Sequence, residues 1–118
     1  MTNTPLQALV LMNDPTYVEA ARTLAQRMFT EAGSDAPRRI SYAFRLATAR
    51  KPGPEELKAL GELAQQELVR YRLDQKAALK LLEVGDSPFD KKLDVSELAA
   101  WTTVASAILN LDETITKE

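Results

Sequence analysis

Residues Asp94–Leu111 read DVSELAAWTTVASAILNL, and from Leu98 to Leu109 this run holds no charged residue in a chain that is 27% charged. Such a run predicts a central helix. Asp94 is placed as its N-cap, Glu97 stands at the capping-box position three residues on, and Asn110 is placed to end it. With Trp101 at the origin and about 100° per residue, Leu98, Val104, Ala105, Ile108, Leu109 and Leu111 fall within roughly 80° of it, a broad apolar face. The opposite face carries Ser96, Ala99, Thr102, Thr103, Ser106 and Asn110. These residues are small and uncharged where a solvated helix shows Lys and Glu, so cover is expected on both sides. Thr102, Ser106 and Asn110 are accordingly read as a docking face.

Outward from this helix the chain is punctuated throughout by helix caps. Thr4-Pro5 opens a short segment to Met12 that is apolar nearly all round, and Asp14-Pro15 repeats the device for a longer helix ended by Gly33. In that longer helix Tyr17, Val18, Ala21, Leu24, Ala25, Met28 and Ala32 recur at helical spacing, with Glu19/Arg22 and Arg27/Glu31 on the wet side. Ser34 or Asp35 caps the next helix, to about Arg50, with Ile40, Ala43, Phe44, Leu46 and Ala47 inward and Arg38, Arg39 and Arg45 outward. Pro54-Glu55-Glu56 opens another, its stripe being Leu57, Leu60, Ala64, Leu68 and Tyr71. Gly61 lies on that stripe and reads as a close crossing point. A break is expected near Asp74, followed by helix to Val84 and a stop at Gly85, with Asp86–Leu93 as the one long loop. No stretch alternates with period two. The fold predicted is all-α, a single-domain orthogonal or antiparallel helical bundle of about five or six helices.

A length of 118 residues with 45% apolar content suits one domain. Fifteen Lys and Arg stand against seventeen Asp and Glu, a net charge of −2 that disfavours nucleic acid as a partner. The chain has neither Cys nor His. That removes disulfides, thiolate nucleophiles, Cys-ligated zinc, covalent haem attachment, Ser-His-Asp and Cys-His catalysis, and histidine metal ligation from this chain. No apolar run is long enough to cross a membrane, so membrane insertion is not expected.

Two clusters bear on chemistry. Asp86, Asp90 and Asp94, joined by Asp112 and Glu113, are the best acids, but DSPFDKKLD lacks the alternate ligand spacing and internal Gly of a calcium loop, and turn and cap roles account for them. No catalytic, cofactor-binding or metal-ligating residue is assigned. Arg38, Arg39 and Arg45, with Arg50 and Lys51, form a basic segment able to grip an anion, or to pair with acids such as Glu55 and Glu56. The four glycines are isolated, so no phosphate-cradling loop exists.

Asn3–Pro15, NTPLQALVLMNDP, together with Leu98–Thr102 and Leu109–Glu113, resembles the planctomycete-specific domain of unknown function found at the C-terminal end of very large exported bacterial proteins. Ala43–Ala47 through Arg50, Pro52, Pro54 and Glu55, and Val84–Pro88, fit the same pattern. Thr48-Ala49 departs from it, since a small-Gly pair is more usual there, and Thr114 stands where an aromatic is common. The resemblance implies that residues 1–118 are the C-terminal portion of a larger parent, periplasmic or on the cell surface, often with a cytochrome c-like haem domain upstream. It carries over no catalytic residue.

The expected function is a non-catalytic structural or interaction module whose partners are the upstream domains of the parent, with homodimerisation expected of the isolated fragment. One alternative makes it part of a hydrolase using Asp86, Asp90 or Asp112, completed by groups elsewhere in the parent. Another is anion or glycan binding through Arg38, Arg39 and Arg45.

Overall fold

Five helices follow one another in the computed structural model, which describes residues 14–85 and 88–117, with side chains through Leu111. They are α1 (Pro15–Ala32), α2 (Ala36–Thr48), α3 (Pro54–Leu73), α4 (Gln75–Leu82) and α5 (Val95–Lys117). There is no strand among the described residues, and the all-α bundle is as the caps and periodicity predict. The helix expected from Thr4 to Met12 lies outside the described residues, as does Asp86.

Local chemistry sets the boundaries. Asp14 Oδ1 accepts from the Thr16 and Tyr17 amides, at 3.0 and 3.4 Å, and Asp35 Oδ2 from the Arg38 amide at 3.1 Å, each ahead of an early proline. Asp74 works twice. Its amide donates to Arg70 O to close α3, and its carboxylate accepts from the Ala77 amide to open α4. Gly33 ends α1 with φ of 73°, a region that favours glycine; α4 stops short of the expected Val84, at Leu82 with Glu83 as its cap, and Gly85, φ 88°, lies in the segment beyond it. At Gly85 a side chain is doubly excluded, because a Cβ there would collide with the side chain of Glu19. Asp94 Oδ2 accepts from the Glu97 amide at 2.9 Å, starting α5 where expected, but α5 runs past Asn110 to Lys117.

α5 is the axis of the bundle and packs against all four other helices. Leu98 to Ile108 are buried without interruption, the small polar positions included. Thr102 and Thr103 satisfy their hydroxyls on their own helix, donating to Leu98 O and Ala99 O, and their small size lets neighbouring backbones come close. Ser96 joins the start of α5 to the α3–α4 corner, donating to Tyr71 O and accepting from Gln75 Nε2. Tyr17 of α1 donates to Ser106 O.

On α1 and α3 two expectations about individual positions are overturned. Gly61 is not a close crossing point: a Cβ there would meet no atom within 4 Å, and it is Leu60, Leu63 and Ala64 that are buried. Arg22 is not on the wet side of α1. It is 1% exposed, and its Nη1 donates to Leu82 O at 2.8 Å and Val84 O at 2.9 Å. Its charge sits on the carbonyl end of α4, where the helix dipole favours a cation.

Candidate functional site

Helical spacing divides the basic residues of α2 between two environments. Arg38 and Arg45 are seven apart and share a face, whereas Arg39 is turned about 100° from Arg38, toward the interior. Arg39 is 6% exposed, its Nε donates to Gly33 O at 2.6 Å, and its guanidinium lies 3.8 Å from the Phe29 ring centroid and 5.2 Å from that of Trp101. Burial lowers its pKa, and the charge of Glu97 offsets part of that. The expected anion-binding trio is therefore broken. Arg39 ties the end of α1 to α5 through stacking and a carbonyl bond, a use that suits a planar, weakly hydrated guanidinium.

Arg50, next along, is also engaged in structure. Its two terminal nitrogens bind the two carboxylate oxygens of Glu56, at 3.1 and 3.0 Å, and its guanidinium lies 4.7 Å from the Phe44 ring centroid. Glu56 Oε1 also accepts from the Gly53 amide at 2.8 Å, closing the start of α3. The hydrogen bonds from Arg50 hold the Glu56 carboxyl below the usual carboxylate range, so it is ionised at neutral pH and has no proton to donate. Arg50 and Glu56 thus realise the pairing of the basic segment with the acids that open α3.

Arg38 and Arg45 remain on the surface. They border a groove of about 280 Å³ between α1 and α2, lined also by Glu31, Ser41 and Tyr42. Neither arginine takes part in any of the ion pairs among the described residues. The Tyr42 hydroxyl is buried without a hydrogen-bond partner, and Arg27 of α1 stands 6.0 Å from the Tyr42 ring centroid. Arg27 also lines a second hollow of about 430 Å³ between the same two helices, with Thr16, Glu19, Thr23 and Leu46. Leu46, expected to face inward, is 50% exposed there.

The docking face expected on α5 is corrected by burial. Thr102 and Ser106 are 0% exposed and Asn110 is only half-buried, so the first two offer no surface to a partner. The face that looked uncovered in the sequence is enclosed by the chain itself. Of the expected acids, Asp90 Oδ1 accepts from the Lys92 amide and Asp94 Oδ2 caps α5; Asp86 and the side chains of Asp112 and Glu113 lie outside the described residues. Among the described residues no three His, Cys, Asp or Glu side chains gather closely enough to hold a metal ion, and no helix is long and apolar enough to cross a membrane.

Gly33 is only six residues from Arg39, but Trp101 reaches the same guanidinium through the packing of α5, so the buried role of Arg39 carried no local signal. Arg27 and Tyr42 were visible as residue types, but their meeting across α1 and α2 was not.

No curated protein and no solved structure matches this chain. The PSD1 family, described as a protein of unknown function (DUF1553), matches residues 1–64. That span covers more than half of the sequence and runs through α1, α2 and the first half of α3, including both walls of the arginine-bordered groove; the chain belongs to the PSD1 family.

Proposed function

We propose that this domain is a non-catalytic helical module, serving structure and interaction within a larger exported protein of the planctomycete type. The observation that supports this reading is the use made of inward-facing charged and polar groups. Arg22, Arg39 and Ser96 each bind a backbone carbonyl of another segment. These groups join helices. A glycoside-hydrolysing site would instead hold two carboxyls across a cleft, one of them kept protonated.

The partner in this reading is the upstream part of the parent chain, which the family resemblance suggests includes a haem-bearing region. The α1–α2 groove is one surface available for it. Val69 and Leu73, exposed one turn apart on α3, are a second. The test is to supply the upstream segment in trans and follow the melting temperature of this domain, because a ligand that binds only the folded state must raise it. A saturable upshift, with sedimentation showing a defined complex, is expected. Absence of binding, together with a polysaccharide-cleaving activity lost in Asp90→Asn, would sink the proposal in favour of the hydrolase alternative.

A further inference from the structure

Arg38, Ser41, Tyr42 and Arg45 stand at i, i+3, i+4 and i+7 of α2, one row of the helix, and the two arginines are two turns or about 10 Å apart along its axis. Exposed arginines elsewhere on this molecule find acids: Arg50 pairs with Glu56 at 3.0 Å and Arg70 with Glu67 at 2.7 Å. Arg38 and Arg45 do not, although Glu31 lines the same groove. Arg27 continues the positive border from the facing helix, and past it lies the half-exposed Leu46. A chain of net charge −2 thus gathers three cations along one concave seam with an apolar spot beside them.

We propose that the α1–α2 groove docks an acidic segment of a partner polypeptide, with two carboxylates pairing with Arg38 and Arg45 and an apolar side chain resting on Leu46. This rests on the interaction-module reading and names the chemistry of its partner. The planar fork of arginine matches a carboxylate in two parallel hydrogen bonds, and the two forks sit on a helix whose spacing a second helix or an extended strand reproduces. A small free anion would engage one exposed guanidinium, and a single solvated contact of that kind is weak. A nucleic-acid backbone is a poorer occupant. Glu31 lines the groove and Glu19 its continuation, and a dense run of phosphates would meet both, whereas two spaced carboxylates need meet neither.

The probe is a fluorescein-labelled, alanine-based helical peptide with one leucine and two glutamates two turns apart, titrated with the whole chain and read by anisotropy. Saturable binding that weakens with added salt is expected, with no binding of the version carrying glutamines in place of the glutamates. Combining Arg38→Glu and Arg45→Glu should weaken it about tenfold or more, with circular dichroism and the melting temperature unchanged. Equal binding of the glutamine peptide, no binding of either, or displacement by inorganic phosphate or a single-stranded oligonucleotide at comparable concentrations overturns the proposal. If the peptide fails while the upstream segment still binds, the groove assignment falls and the module reading survives. If the peptide binds and the upstream segment does not, the groove stands and its partner lies elsewhere.

Discussion

Ser106 is wholly enclosed and its hydroxyl has no hydrogen-bond partner, so it is a polar group taken from water without compensation. Ser106→Ala should therefore stabilise the domain by about 1 kcal/mol, seen as a higher urea midpoint with an unchanged slope. Arg39 poses the opposite case. Its value lies in stacking and one carbonyl bond rather than in an ion pair, against a desolvation penalty that lowers its pKa. Arg39→Ala should cost about 2 kcal/mol through lost packing and cation–π contact. Arg39→Met, which keeps the long side chain and removes the buried charge, should cost less. If thermal unfolding shows Met to be as damaging as Ala, the guanidinium's ring and carbonyl contacts carry the whole effect and the packing of the long side chain carries none of it.

Among the helix junctions, the one after α2 carries visible strain. Ala49 caps α2 in the left-handed conformation, φ 64° and ψ 20°, with its amide donating to Arg45 O. An L-residue there is disfavoured by about 1 kcal/mol, and this is the position at which the family resemblance leads one to expect glycine. Ala49→Gly should raise stability by up to about 1 kcal/mol, the gain being trimmed by the extra freedom of glycine in the unfolded chain; a lowered melting temperature would contradict it. The same junction contains the Arg50–Glu56 clamp. Glu56 has its folded-state pKa depressed by the hydrogen bonds from Arg50, so its contribution is fully present above the ordinary carboxylate range and is lost as pH falls through that range toward the depressed value. The gap in urea midpoint between the natural chain and Glu56→Gln should accordingly be open at neutral pH and shrink as the pH falls below the ordinary carboxylate range.

Across the whole molecule, stability converges on α5. Trp101 is buried near Arg39 and belongs to the one core shared by all five helices. Trp101→Ala should cost about 3 to 5 kcal/mol, a large share of the roughly 5 to 15 kcal/mol that hold a domain together. Thr102→Lys separates two accounts of the small-residue face. On a docking face it would leave helicity intact and abolish only association; inside the bundle, where Thr102 lies, it buries an ammonium and should unfold the domain, as loss of circular dichroism at room temperature. An unfolded Thr102→Lys, and an Arg38→Glu/Arg45→Glu variant that stays folded but loses binding, would together place the interaction surface on α2.

The helices themselves were legible because their signals are local. Asp14-Pro15, Asp35, Asp74, Gly33 and Asp94 act on backbone groups within a few residues, and so their effects could be read before any packing was known. The uncharged face of α5 likewise announced that it would be covered. What covers it was a matter for tertiary structure alone, as was the division of the arginines. Arg22, Arg38, Arg39 and Arg45 are the same residue type on amphipathic helices, yet two are buried and two face solvent. The difference lies in what the bundle brings to each: the open carbonyl end of α4 for Arg22, the rings of Phe29 and Trp101 for Arg39, and water for Arg38 and Arg45. A guanidinium follows the nearest carbonyls and aromatic faces, and those come from segments up to some sixty residues away in sequence.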